Sequence, residues 1–206
     1  MYEIKQLKTQ IFQENIYFIV NRKTRETIIV DPGIIEFETL DHFIQNEKLN
    51  PVAILNTHGH PDHIYLVNQL LIKYDIPFFL HENEKNYLPD YELLGKSFGL
   101  TDFAMPMEIN YISDGTFNLA GFDLEILSTP GHTPGSICIK FGQHLISGDT
   151  LFEGSIGRVD LPGGSMKSMR KSIEILRNLD KSINIFPGHG DHTTLEKELK
   201  YNPYFS

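Results

Sequence analysis

Residues 52–63 read Val52-Ala53-Ile54-Leu55-Asn56-Thr57-His58-Gly59-His60-Pro61-Asp62-His63. A short apolar run, as in a buried strand, meets three imidazoles and a carboxylate, and Pro61 suits the first turn of a helix. His58 and His60 lie two apart, so in extended chain their side chains leave on the same side, while Asp62 and His63 fall in the turn that enters the helix. Burying such a group together without a metal ion would strand charge and donors. Imidazole nitrogen and carboxylate oxygen suit Zn, Fe or Mn, and the lack of a nearby cysteine argues against a structural thiolate zinc site.

Three later segments repeat the same context, a strand ending at a turn with a ligand-type residue. They are Thr129-Pro130-Gly131-His132-Thr133-Pro134-Gly135-Ser136, Ser147-Gly148-Asp149-Thr150, and Phe186-Pro187-Gly188-His189-Gly190. His132 or His189 taken alone would read as an ordinary turn or surface residue. With the first cluster they make seven ligands, five His and two Asp. That oversupplies one four-ligand site, so two metals sharing a carboxylate is the economical arrangement.

Outward from the motifs, 16–20 and 27–31 read as a hairpin stopped by Asp31-Pro32-Gly33, and Phe37, Leu40, Phe43 and Ile44 mark an amphipathic helix over 36–48. The helix from Pro61 continues through Ile64, Val67, Leu71 and Tyr74, and a strand is expected at 76–80. Residues 83–113 read as a less regular insert and a candidate lid or pocket wall, with Tyr87, Tyr91 and Phe98 as core or acyl-pocket aromatics. Strands at 116–119, 122–128, 136–141 and 144–148 precede a helix at 166–179, a strand at 183–186 and a helix at 194–201. Two comparable blocks, each running from sheet to helix, predict one domain over 1–206, a sandwich of two sheets flanked by helices.

The chain has 206 residues, with 18 Lys+Arg against 27 Asp+Glu for a net charge of −9. That balance opposes nucleic-acid binding, which needs excess cation. No run of ~18 apolar residues is present, and MYEIKQLKTQ lacks the layout of a secretory signal, so the expectation is a cytoplasmic protein off the membrane, monomer or homodimer, acting on a small molecule. Cys138, flanked by Ile137 and Ile139, reads as a buried small hydrophobe. His42, His81, His144 and His192 read as ordinary surface or partly buried residues.

The His-x-His-x-Asp-His run, the Gly-His-Thr-x-Gly-Ser segment, Gly148-Asp149-Thr150-Leu151-Phe152 and Pro187-Gly188-His189-Gly190, in that order, resemble the metallo-β-lactamase-fold hydrolase superfamily. The stretch from Ser155 to Gly164 and the ending, Thr193 to Lys197 with Asn202-Pro203, are similar to its short glyoxalase II-like branch. The resemblance implies a four-layer αββα sandwich of the α+β class. It implies that His58, His60 and His132 hold one divalent ion and Asp62, His63 and His189 a second, with Asp149 bridging. Zinc is the default, with iron or manganese also suited. Asp62 and Asp149 become the catalytic carboxylates and Asp31 a support for the ligand loops. His60 in place of Glu disfavours the flavodiiron type, and Asp149 in place of Cys disfavours true β-lactamases. Ile64-Tyr65-Leu66-Val67 replaces the small Gly-containing segment common in the family, and only 17 residues follow His189, too few for the helical C-terminal domain of classical glyoxalase II.

Two divalent ions lower the pKa of water towards ~7, so the nucleophile needs no separate base, and a thiolate leaving group needs no proton. A thioester is therefore the comfortable substrate, as in hydroxyacylglutathione hydrolysis, with an ester or lactone next. A mononuclear-iron persulfide dioxygenase-like oxidoreductase and a non-catalytic metal module are the competing readings. Arg158 could grip a substrate carboxylate, or pair with Asp160 to shape its loop.

Overall fold

The structure, a computed structural model, describes residues 2–206. The chain forms two compact units, one of residues through Leu80 with Leu88–Ile112, the other of His81–Tyr87 with Ser113–Ser206.

The first unit opens with strands β1 (Tyr2–Lys8), β2 (Asn15–Asn21) and β3 (Glu26–Val30), paired antiparallel in that order. The expected hairpin is thus β2–β3, with Tyr17 opposite Val30. Helix α1 (Phe37–Asn46) leads to β4 (Asn50–Leu55), which lies parallel to β3. The helix expected from Pro61 is broken into α2 (Pro61–Ile64) and α3 (Val67–Tyr74), because the Leu66 N–H turns away to donate to the Pro32 carbonyl at 3.0 Å. Strand β5 (Phe78–His81) lies parallel to β4, and β6 (Asn110–Ile112) completes a six-stranded sheet ordered β1-β2-β3-β4-β5-β6. Ile16, Phe18, Val20, Ile29 and Ile54 of the sheet share a core with Leu40 and Ile44 of α1 and Val67 and Leu70 of α3.

The insert is more regular than its sequence suggests. It holds α4 (Leu88–Ser97), whose apolar stripe is interrupted by Gly95. That glycine is a packing device, since a Cβ there would stand 2.6 Å from the Phe103 ring and 3.2 Å from Pro61.

The second unit has β7 (Gly115–Leu119), β8 (Phe122–Ser128), β9 (Ile137–Phe141) and β10 (His144–Gly148) as an antiparallel meander. A small hairpin, β11 (Leu151–Phe152) with β12 (Ser155–Ile156), precedes helix α5 (Met166–Arg177). Strand β13 (Asn184–Pro187) then runs parallel to β10, β14 (Thr193–Thr194) pairs outside it, and α6 (Leu195–Tyr201) follows. The sheet order is β14-β13-β10-β9-β8-β7. Cys138, Leu145 and Ile185 pack against Met169, Ile173 and Leu176 of α5 and Leu195 of α6. Burial pushes the Cys138 thiol up to about 11, which keeps it protonated and unreactive. Among the described residues no helix is long and apolar enough to cross a membrane.

Candidate metal centre

Each unit presents ligand-type residues at the carboxyl ends of neighbouring parallel strands, the place where open α/β sheets carry ligands, and the second adds His132 from the loop between the antiparallel β8 and β9. In the first unit, β3 ends in Asp31 and β4 runs into Asn56-Thr57-His58. In the second, β10 ends at Gly148-Asp149 and β13 at Pro187-Gly188-His189, with the Gly188 N–H donating to the Gly148 carbonyl at 2.8 Å. The β10–β13 register shifts between Ile146 and Gly148, so the two ligands leave the sheet where regular pairing stops.

Asp31 organises the first set. It is buried and has a left-handed backbone, with φ of 51°. Asp tolerates that conformation better than most residues. Its Oδ1 accepts from the Thr57 N–H at 2.7 Å, and its Oδ2 from the Thr57 hydroxyl at 2.6 Å and from His63 Nδ1 at 3.1 Å. Because Thr57 gives its one hydroxyl proton to Asp31, its oxygen can only accept from His58 Nδ1, 3.1 Å away. In His58 and His63 alike the Nδ1 therefore carries the hydrogen and Nε2 the lone pair, the tautomer a metal ligand requires. Asp31, His58 and His63 offer atoms within 4.8 Å of one another.

The His58 ring centroid lies 4.8 Å from that of His60 and 4.2 Å from that of His63, and all three imidazoles are buried. His63 Nε2 stands 3.8 Å from Asp62 Oδ2. The turn is locked by the Asn56 amide, which donates to the His63 carbonyl at 2.8 Å, and by Gly33, where a Cβ would fall 2.2 Å from the Asp62 carbonyl. Tyr91, from the insert, meets the His60 ring edge-on at 4.9 Å.

The second set converges on one carboxylate. Asp149 Oδ2 lies 3.4 Å from His132 Nε2 and 3.6 Å from His189 Nε2. Those separations exceed ordinary hydrogen bonds and suit donors sharing an ion, since ligand bonds of about 2.0–2.1 Å place tetrahedral partners near ~3.3 Å from one another. His132 Nδ1 donates to the Arg158 carbonyl at 2.7 Å, which again leaves the lone pair on Nε2. Gly157 lies so close that a Cβ would fall 1.8 Å from the Asp149 carbonyl. The Arg158 side chain is exposed and holds Asp160 through two bonds of 2.7 and 2.8 Å, which pulls the Asp160 carboxyl down to about 2.

The donor chemistry of both sets fits divalent ions: His58, His63 and His132 in the ligating tautomer, carboxylates beside them, and no thiolate. Two supporting residues, the buried Glu84 and Glu198, escaped sequence reasoning, and His81, expected at the surface or partly buried, is buried instead, its ring bonded to the Asn83 N–H and the Ser128 hydroxyl. Glu198 accepts from the Gly154 N–H at 2.8 Å, the Thr193 hydroxyl at 2.6 Å and the Asn202 amide at 2.9 Å, joining the chain after Asp149 to the chain after His189. A separate cavity of about 630 Å³ in the first unit, lined by Ile11, Ile34, Phe37, Tyr65, Leu66 and Leu100 among others, contains none of the ligand residues.

Comparison with known proteins agrees with the motifs. The family model described as the metallo-beta-lactamase superfamily matches residues 10–189. The probable metallo-hydrolase YqgX of Bacillus subtilis (strain 168) is 40% identical over 199 residues, 94% of this chain and 93% of that protein. The hydroxyacylglutathione hydrolase GloC of Haemophilus influenzae is 34% identical over 207 residues, 95% and 94% of the two chains. Among solved structures, BLEG-1, titled a B3 metallo-beta-lactamase, superposes with a TM-score of 0.87 at 34% identity over 99% and 100% of the chains. TTHA1623, solved in a di-iron-bound form, gives 0.88 at 33% identity over 97% and 99%. A family match over most of the chain and full-length relatives of this identity have one meaning: the chain belongs to the metallo-β-lactamase superfamily, is a metallo-hydrolase by family, and has the metallo-β-lactamase fold.

Proposed function

We propose that this protein is a dinuclear metal-dependent hydrolase of small thioesters, of the hydroxyacylglutathione type. The observation that carries the reading is the approach of two imidazole nitrogens to one Asp149 oxygen, at 3.4 and 3.6 Å. In this reading His58, His60 and His132 hold one ion, Asp62, His63 and His189 hold the other, and Asp149 serves both. The likeness to GloC supports the substrate class, and the likeness to di-iron TTHA1623 supports two ions while leaving zinc, iron and manganese as candidates.

When bound, such ions supply Lewis acidity that brings the pKa of water towards ~7 and polarises a carbonyl. The chain's residues do the rest. Asp31 holds His63 directly and His58 through Thr57 in the ligating tautomer, and the Arg158 carbonyl does the same for His132, so these rings need no reorganisation as charge develops. The Asp62 and Asp149 carboxylates hold negative charge beside the reacting centre and can hydrogen-bond the attacking water. A thiolate leaves without a proton, so no general acid is required. Tyr91 packs edge-on against His60, and that contact supports residues 83–113 as a pocket wall.

The test is hydrolysis of S-D-lactoylglutathione by protein whose metal content is counted on the same sample. A kcat/KM above ~10⁴ M⁻¹s⁻¹ supports the reading, being ordinary for an enzyme on its own substrate. A value several hundred-fold lower with both ions present excludes that substrate and moves the search to other thioesters, lactones and, given the likeness to BLEG-1, β-lactams. Oxygen consumption with glutathione persulfide and one iron per chain would instead support the dioxygenase.

A further inference from the structure

Residues His81–Tyr87 leave the end of β5 and pack with the second unit. Within them a 3-10 turn, Glu82–Glu84, reaches both ends of the loop that carries His132. At the near end, His81 Nδ1 accepts from the Asn83 N–H, and His81 Nε2 meets the Ser128 hydroxyl at 3.1 Å, one residue before the loop begins. At the far end, Glu84 Oε1 accepts from the Thr133 hydroxyl in a short bond and from the Gly135 N–H at 2.9 Å. The loop is shaped around this carboxylate, since a Cβ on Gly135 would lie 2.6 Å from Glu84 Cγ. Thr133 in turn bonds Ser136 Oγ through its hydroxyl at 2.7 Å and its N–H at 3.0 Å, closing the turn behind His132.

We infer that Glu84 is a positioning residue for His132: its buried carboxylate sets the loop from Thr133 to Gly135, and so sets where His132 Nε2 stands relative to Asp149. His132 has its tautomer from the Arg158 carbonyl but reaches its place through the neighbouring Thr133. The two partners differ accordingly. Loss of the carbonyl contact would misprotonate the ring, whereas loss of Glu84 would displace it. A displaced ligand weakens the ion it holds by the tenfold to hundredfold typical of lost supporting contacts. The inference rests on the dinuclear reading above.

The experiment titrates zinc and cobalt into the full chain against a competing chelator, and records the cobalt absorption spectrum of each variant. Wild type is expected to take two ions. Glu84→Ala is expected to bind one of them at least tenfold more weakly and to shift the cobalt spectrum, with circular dichroism unchanged. Glu84→Gln keeps a carbonyl acceptor for Thr133 and Gly135 and is expected to stay within about threefold of wild type. Should Glu84→Ala not fold, Thr133→Val and Ser136→Ala decide together, because the first removes the hydroxyl's bonds to both Glu84 and Ser136 and the second leaves the Glu84 bond in place; an ion weakened at least threefold more by Thr133→Val than by Ser136→Ala supports the inference, and equal affinities overturn it. Two equally tight ions and an unchanged spectrum in Glu84→Ala, or a Glu84→Gln loss as large as that of Ala, also overturn it. Fewer than two ions in wild type refutes the dinuclear reading instead, a result separate from any difference between variants.

Discussion

The Asp31 carboxylate holds Thr57 through both of its oxygens, at 2.7 Å to the backbone N–H and 2.6 Å to the hydroxyl. This pair locks the end of β3 to the chain leaving β4, 26 residues later, and through the Thr57 hydroxyl it dictates which nitrogen of His58 carries the proton.

Asp31→Ala removes the acceptor for all three donors and leaves a non-glycine residue at φ 51°. Metal affinity is expected to fall tenfold to hundredfold. Buried donors left unmatched cost about 1–3 kcal/mol each, so the melting temperature is expected to fall by several degrees. Asp31→Asn, which tolerates the backbone but presents an amide to at least one donor, is expected to fall between Ala and wild type in a chelator titration and a thermal melt.

Gly157→Ala and Gly154→Ala are a matched pair. A Cβ at 157 would sit 1.8 Å from the Asp149 carbonyl, a backbone atom with no room to yield, whereas at 154 nothing lies within 4 Å although φ is 68°. Gly157→Ala is expected to lose at least tenfold in hydrolytic kcat/KM by displacing Asp149 and His132. Gly154→Ala is expected to keep activity within twofold and lose about 1 kcal/mol of stability to its left-handed backbone.

Chelation tests the same centre through stability. An ion that binds only the folded chain adds about 2.7 kcal/mol at a hundredfold excess over its Kd. Stripping two such ions is expected to lower the melting temperature on the order of 10 °C in a chain of this size. Adding back zinc, iron or manganese separately should restore it, and the ion that restores most identifies the tightest fit.

His81 contributes a pH dependence of defined sign. Burial holds its imidazole below the ordinary 6.5, so between the folded value and 6.5 the unfolded chain binds more protons. Its effect on stability is therefore absent above 6.5, and stability falls as the pH drops through that window. His144 is lowered by the same cause, so the slope will not vanish in a single variant. Chemical denaturation of His81→Gln between pH 5 and 8 is expected to show a shallower decline than wild type on the acid side and a parallel curve above 7.

Much of this fold is legible one segment at a time. The β2–β3 hairpin, the run into His58 and the helix 166–177 follow from alternation, apolar runs and 3.6-residue spacing, which are local. Strand β1 and helix α4 are not legible in that way. The residues of β1 are half-buried along nearly its whole length, so its two faces scarcely differ. Helix α4 carries Gly95 where the apolar stripe should continue, because Phe103 and Pro61 occupy that space.

The same division runs through the candidate site. Ligand type and the order of the motifs belong to the sequence, because imidazoles and carboxylates clustered at glycine-rich strand ends have few uses other than holding an ion. Which nitrogen of each ring is available, and which carboxylates stand behind the ligand loops, belongs to the tertiary structure. Glu84 meets Thr133 across 49 residues and Glu198 meets Gly154 across 44. No local period records such pairs. They exist because a buried carboxylate must find donors, and only the packed chain decides which donors those are.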